Sequence, residues 1–576
     1  MLRFGFKLNG QSQLMLLRQI SLISCLILAS LNLNATAKTQ QLTAAVASPD
    51  HYGAEVAAEI LRQGGNAVDA AVATAFTLAV TYPEAGNLGG GGFLTLWFNG
   101  KAYFLDYRET APARAHRDMY LNAEGDVIEN LSLIGHQASG VPGTVMGMWQ
   151  LHQLFGSKSW PELLAPAIQL AEQGFIVPDK AYLYEGDMLQ RFAGKTNFID
   201  YFGKMQPGER FVQAELAATL KRLAAEGPSD FYQGKTAELI VAEMQRGGGL
   251  ISMADLAGYQ AVWRTPLVAR WRDRQLITAP PPSSGGIALQ QLLTLKALNQ
   301  QHFQGVAHNS AQYVHLMAEI AKRVFADRAD YLGDPAFTEV PSQKLLAPDY
   351  LARRAQEINP KAISATETIK PGLESEQTTH FSIVDHAGNA VSNTYTLNLD
   401  YGSGVVVSGA GFLLNNEMDD FSAKPGVPNA FGVVGSDANA IAPGKRMLSS
   451  MTPTIVLKDN QPELVIGTPG GSTIFTSIFQ VINNLYDFNM TAEQAVAAPR
   501  FHHQLLPKDQ IRMESVQALA EPVQAELTAR GYSLHTPNWD LGDIQLILLN
   551  QDGTQAVSDP RGRGATRLIA ASPSQP

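Results

Sequence analysis

The chain has 576 residues, 45% of them hydrophobic and 17% charged, with a formal net charge of −10. That is the composition of a globular protein long enough to bury a large core. The acidic balance, with basic residues bunched only at Arg270-Trp271-Arg272-Asp273-Arg274 and interrupted there by an acid, argues against nucleic acid as a partner.

The first 37 residues read as an export leader. Arg3, Lys7 and Arg18 supply positive charge, no acid precedes Asp50, and an apolar stretch runs from Ile20 to Leu33. Ala35-Thr36-Ala37 then fits the small-x-small pattern of a signal-peptidase site. A membrane anchor is the alternative, but Asn32 and Asn34 end the run at ~14 residues, short of the roughly 20 a spanning helix needs. Leu22-Ile23-Ser24-Cys25 resembles a lipoprotein box, although the apolar stretch continues past Cys25. Cleavage after Ala37 removes the only cysteine, which excludes disulfides, thiol nucleophiles and cysteine-bound metals. It also shifts the balance from 43 basic against 53 acidic residues to 40 against 53, a formal −13. An exported chain without disulfides suits a bacterial periplasm, with secretion as the alternative, and keeps no stable membrane span.

From Tyr52 to Val80 the pattern predicts two helices broken at Gly64-Gly65-Asn66. Strand-like runs follow at Gly92–Trp97 and Ala102–Tyr107. Alanine- and leucine-rich helical stretches then recur at 144–155, 160–174, 213–225, 235–246, 286–299, 310–332 and 348–358. The polar segment 360–377 reads as an exposed arm leading to Thr378. Beyond it, Thr379–Val384 and Ala390–Leu397 are β-prone and flank the turn Asp385-His386-Ala387-Gly388-Asn389. Further strands are expected at Thr452–Leu457, Glu463–Ile466, Ile544–Leu549 and Gln555–Ser558, with helices at 473–486 and 517–530. This is an α+β layered pattern.

Several common chemistries lack their residues. There is no G-x-S-x-G elbow. Neither Gly89-Gly90-Gly91-Gly92 nor Pro469-Gly470-Gly471-Ser472 carries the lysine of a phosphate loop. His502 and His503 are adjacent, so on a strand they point to opposite faces and make a poor metal pair; both read as structural. What remains is a region rich in threonine, glycine and amides from Gln377 to Ser472. A hydroxyl becomes a useful nucleophile when a base stands beside it, and a chain-terminal threonine carries that base as its own α-amine. An α-amine titrates near ~8 and is partly unprotonated at neutral pH. Taken by itself, Thr378 is an ordinary strand threonine.

The motifs change that reading. Gln377-Thr378-Thr379-His380-Phe381-Ser382, Asn415-Asn416-Glu417-Met418-Asp419-Asp420-Phe421-Ser422, Lys445 to Thr454 and Thr468-Pro469-Gly470-Gly471-Ser472 resemble, in order, the small-subunit motifs of the γ-glutamyltranspeptidase family. Upstream, Leu105-Asp106-Tyr107-Arg108-Glu109-Thr110-Ala111-Pro112 and Ser139 to Thr144 resemble its large-subunit pattern. The resemblance runs from about residue 45 to near the C-terminus.

The resemblance implies the four-layer αββα sandwich of the N-terminal-nucleophile hydrolases, built from two subunits released by self-cleavage at Gln377-Thr378. Residues 1–37 would be the signal peptide, 38–377 the large subunit and 378–576 the small one, the two remaining together as a heterodimer. Thr378 would be the nucleophile, Thr396 its hydrogen-bonding neighbour, and the Gly470 and Gly471 N–H groups the oxyanion donors. Arg108, Ser449 and Ser450 would hold the substrate α-carboxylate. Asn398, Glu417 and Asp420 would surround its α-ammonium; some members carry glutamine where Glu417 stands. Residues 423–444 resemble a lid loop in which Phe431 replaces a common tyrosine and so lacks its hydroxyl.

No metal or organic cofactor is implied. The expected substrates are glutathione and other γ-glutamyl compounds, with water, amino acids or dipeptides as acceptors. Alternatives on the same scaffold are a cephalosporin or glutaryl acylase, a poly-γ-glutamate transpeptidase, or an unprocessed binding homologue. Arg108, Asn398 and Asp420 speak against an acylase, because a glutaryl chain has no α-ammonium.

Overall fold

A computed structural model describes residues 42–180, 188–365, 378–422, 424, 437–514, 517–537 and 539–571. Contacts separate Met1–Leu42 from one compact body, Thr43–Pro576, to which every element below belongs. The leader with Cys25, the junction residue Gln377 and the lid residue Phe431 lie outside the described residues.

Two sheets form the middle of this body. In chain order the strands are β1 (Ala44–Ser48), β2 (Gly91–Phe98), β3 (Lys101–Asp106), β4 (Val262–Arg264), β5 (Leu267–Trp271), β6 (Arg274–Thr278), β7 (Thr379–Val384), β8 (Ala390–Thr396), β9 (Thr454–Lys458), β10 (Gln461–Gly467), β11 (Gln545–Asn550), β12 (Gly553–Ser558) and β13 (Ala565–Ile569). The seven-stranded sheet runs β13-β1-β7-β8-β2-β3-β4 and the six-stranded sheet β12-β11-β10-β9-β6-β5. Every pairing within them is antiparallel.

Strand periodicity sorts the side chains into layers. Ala45, Ala47, Val384, Ile277, Ile455, Val465 and Ile547 point inward and form one cluster between the sheets. Their neighbours Val46, Ile383 and Val391 point outward onto a helical layer that includes α1 (His51–Arg62), α2 (Ala67–Thr81) and α3 (Trp160–Gln173). On the opposite side Leu276, Val456, Leu464 and Leu546 meet α4 (Gly285–Leu298), α5 (Ala311–Tyr331) and α6 (Ile474–Tyr486). The order is therefore α-β-β-α, as expected. Each large aliphatic side chain fully buried this way contributes roughly 1.5–3 kcal/mol.

Local sequence explains the entry points of these elements. Asp50 caps α1 by accepting the Gly53 N–H at 2.7 Å, and Asn66 with Asp69 makes a capping box on α2. Every residue of α2 is buried, which its alanines allow by letting neighbours approach closely. Between the sheets, polar side chains act as cross-ties: Ser392 Oγ donates to Ile466 O at 3.1 Å and accepts the Thr454 N–H at 3.0 Å.

The structure differs from expectation in several places. The strands Ala44–Ser48 and Ala565–Ile569 and the hairpin of Leu267–Trp271 with Arg274–Thr278 are among those that no sequence pattern announced. The segment starting at 360 is not a free arm throughout: Ser364 donates to Glu319, accepts from Arg323 Nη2 at 2.6 Å and receives Lys322 Nζ on its carbonyl at 2.9 Å. That ion cluster pins the segment to α5; residues 366–377 lie outside the described residues.

Candidate active site

The expected site residues sit where strands end at one edge of the sandwich. Arg108 follows β3, Thr378 precedes β7, Thr396 closes β8, Ser449 and Ser450 precede β9, and Gly470 and Gly471 follow β10. Glu417–Asp420 forms a single 3-10 turn. A cleft of about 240 Å³ is lined by Arg108, Thr378, Thr396, Asn398, Glu417, Asp420, Ser449, Ser450 and Gly471, joined by Met451 and Ile474. Gly470 does not line it; Gln377 and Phe431 lie outside the described residues.

The hairpin sets the relation between the two threonines. Tyr395 pairs with Thr379, so the antiparallel register carried one step further brings Thr396 opposite Thr378. Thr396 is held from both sides. Its Oγ1 accepts the Asn398 N–H at 2.7 Å, and its carbonyl accepts Asn87 Nδ2 at 2.8 Å. Asn398 takes φ +80, a left-handed conformation that asparagine tolerates, and its Nδ2 donates to Asn416 O at 3.0 Å.

Arg108 is fully buried and already engaged. Its Nη1 donates to Glu417 and its Nη2 to Asp420, while Glu109 stands 3.7 Å from Nη1. One guanidinium thus faces Glu109, Glu417 and Asp420. Burial pushes the Glu417 carboxyl well above the usual carboxylate range; Glu109 and Asp420 push it further and Arg108 opposes them. Burial lifts Glu109 to about 8 against the pull of Arg108, and it lifts Asp420 as well. Neighbouring Asp419 is raised to about 7, mainly by burial, although Ser132 Oγ donates to it at 2.5 Å.

Among the described residues, two buried side-chain polar atoms of the cleft have no hydrogen-bond partner: the Ser450 hydroxyl, a donor, and Glu417 Oε2, which accepts once the carboxyl is ionised. Ser449 is committed differently, its Oγ accepting the Met451 N–H at 3.1 Å. Gly470 and Gly471 have φ of +123 and +50, and they lead into the 3-10 turn that opens α6. Their N–H groups therefore sit at the positive end of a helix dipole. A Cβ on Gly470 would stand 2.4 Å from Thr473 Oγ1.

His502 and His503 are buried and serve packing. His502 bonds Thr476 Oγ1 at 2.9 Å and Gln504 at 2.9 Å, and His503 bonds Gln510 O at 2.7 Å. Desolvation pushes them to about 3 and about 4, so both are neutral. Among the described residues no group of three or more His, Cys, Asp or Glu side chains could hold a metal ion. Sequence reasoning gave no role to Glu109, the neighbour that completes the acidic ring around Arg108. It also missed Asn87, whose amide fixes Thr396; nothing in the sequence distinguishes that asparagine from a loop residue.

The sequence model of the γ-glutamyltranspeptidase family matches residues 53–569. The glutathione hydrolase proenzyme of Pseudomonas aeruginosa is 63% identical over 525 residues, covering 91% of this chain and 94% of its own length. The Escherichia coli glutathione hydrolase proenzyme is 45% identical over 527 residues, 90% of each chain. Among solved structures, a γ-glutamyltranspeptidase from Pseudomonas nitroreducens, complexed with L-DON, is 62% identical with a TM-score of 0.56; it covers 56% of this chain and 97% of that one. A cephalosporin acylase from Bacillus halodurans superposes with a TM-score of 0.80 at 26% identity, covering 92% and 97%.

Proposed function

Because the chain belongs to the γ-glutamyltranspeptidase family, we propose that it takes the γ-glutamyl group of glutathione and related amides and passes it to water or to an amino acid or dipeptide. Thr378 Oγ first attacks the Gln377 carbonyl. The acyl group moves from nitrogen to oxygen, and water hydrolyses the ester. This frees the Thr378 α-amine and leaves a large subunit, 38–377, bound to a small one, 378–576. The leader 1–37 directs the precursor to the periplasm.

In the mature enzyme the freed amine takes the Oγ proton as the oxygen attacks the γ-carbonyl carbon. The carbonyl oxygen gathers charge against the N–H groups of Gly470 and Gly471. The C–N bond then breaks, its electron pair leaving with the departing amine, which takes a proton. Water or an acceptor amine repeats the sequence on the acyl-Thr378 ester. Thr396 Oγ1 orients the nucleophile from the neighbouring strand.

The observation that supports this substrate is the orphan pair beside Thr378. Ser450 Oγ offers a donor and Glu417 Oε2 an acceptor, with Arg108 between the acids. A free glutamyl end carries one carboxylate and one ammonium, which match that pair. In binding, the carboxylate takes Arg108 together with Ser450, and the ammonium takes Glu417, Asp420 and Asn398. The site's own ion pairs are exchanged for pairs with the substrate. Comparing γ-glutamyl-p-nitroanilide with glutaryl-p-nitroanilide, which lacks only the ammonium, tests this. Turnover of the glutaryl compound should be lower by roughly 10- to 100-fold in kcat/KM. Equal rates would point to an acylase instead.

A further inference from the structure

A second, larger cleft lies between the tip of the β5–β6 hairpin and the C-terminal ends of α4 and α6. It is an open cleft of about 1670 Å³ and shares no lining residue with the cleft of Thr378. Its walls are aromatic, with Trp271, Phe303, Tyr313, Tyr486 and Phe488, and Arg270, Arg272 and Lys296 stand among them. Among the described residues that line it, Asp487 is the only acid.

The internal contacts of this cleft decide what charge it accepts. Asp487 is paired twice, with Arg272 and with Lys296. Those same cations cover rings, Arg272 over Trp271 at 4.8 Å and Lys296 over Phe303 at 4.9 Å. An incoming cation would find the acid neutralised and these aromatic faces covered. Positive charge is in excess among the lining side chains, and Arg270 is exposed. Among the lining residues Tyr313 is 1% exposed, and its buried hydroxyl has no hydrogen-bond partner among the described residues. A buried donor left without an acceptor is costly, and here it belongs to a ring that lines the cleft.

We propose that this cleft is a binding site for a small aromatic anion, a carboxylate or sulfonate on a planar ring. The ring slots among the aromatic walls, and the anionic group meets the Tyr313 hydroxyl and the excess cationic charge, with the exposed Arg270 drawing it in.

The test uses the processed enzyme and 1-naphthoate as probe, with 1-naphthalenemethanol and 1-naphthylmethylamine as neutral and cationic analogues. Calorimetry should show one saturable site for naphthoate and weak or no binding of the amine. Tyr313→Phe and Arg270→Glu should each weaken naphthoate by about tenfold. Tyr313→Phe removes an unpaired buried hydroxyl and should hold or raise the melting temperature, Arg270→Glu changes an exposed side chain and should leave it unchanged, and both variants retain the γ-glutamyl turnover of the parent. Turnover should also be unaffected by saturating naphthoate, which separates this site from the catalytic cleft. No saturable binding, equal binding of all three compounds, competition with the γ-glutamyl substrate, or unchanged affinity in both variants would overturn the assignment.

Discussion

Thr396 stands across the hairpin from Thr378, one register step beyond the Tyr395–Thr379 pair, and its hydroxyl is anchored by the Asn398 N–H at 2.7 Å. A hydroxyl so fixed can orient the nucleophile without searching for its geometry. Thr396→Ala should therefore lower kcat by roughly 10- to 100-fold while KM changes little. A loss confined to KM would assign Thr396 to substrate binding instead.

On the proposed reading Arg108 serves both affinity and stability, because Glu417 and Asp420 are ion-paired with it. Lysine keeps the charge but not the two-pronged geometry. Arg108→Lys should raise KM for γ-glutamyl-p-nitroanilide by at least about tenfold. It should also lower stability, by up to about 3 kcal/mol where a buried acid is left unpaired. Steady-state kinetics and thermal melting read these separately; a variant with unchanged KM contradicts the binding role.

Glu109 gives a pH signature. It is held at about 8 in the folded protein, against roughly 4.3 for an exposed glutamate. The fold favours its protonated form, so that contribution is complete below the unfolded value and is lost as pH rises towards about 8. Its carboxylate oxygens have no hydrogen-bond partner among the described residues, so glutamine sacrifices little. The melting temperature of Glu109→Gln relative to the parent should climb between pH 5 and pH 8 and level off above. A difference that is flat across that range counts against the buried, protonated assignment.

Much of this architecture is legible in the sequence because local and global preferences agree. Thr379–Val384 and Ala390–Thr396 are β-prone around a turn whose Asp385 accepts the Ala387 and Asn389 N–H groups. Ala44-Ala45-Val46-Ala47-Ser48 is the opposite case. Alanine favours helix, every residue is buried, and no alternation shows; only pairing with β7 and β13 makes it a strand. In the 267–278 hairpin, Trp271-Arg272-Asp273-Arg274 reads as a charged run. Arg272 instead takes φ +57 at the turn and bonds α6. The site motifs marked the chemical groups, but their mutual pairing could not be read. That Arg108 binds the acids expected to hold an ammonium is a property of three dimensions.

The resemblance of residues 423–444 to a lid loop yields a prediction from the sequence, since Phe431 lies outside the described residues. Phenylalanine excludes water by packing but donates no hydrogen bond. Phe431→Tyr should latch the lid more firmly and shift the ratio of hydrolysis to transfer, measured with and without a dipeptide acceptor. An unchanged ratio removes Phe431 from the account.

The central claim is that a newly exposed threonine amine is the catalytic base. N-terminal sequencing of the smaller fragment in an active preparation tests it most directly. The sequence should begin Thr378-Thr379-His380-Phe381, and Thr378→Ala should remain a single inactive chain. Full γ-glutamyl turnover from a preparation whose Gln377–Thr378 bond is intact would contradict the mechanism.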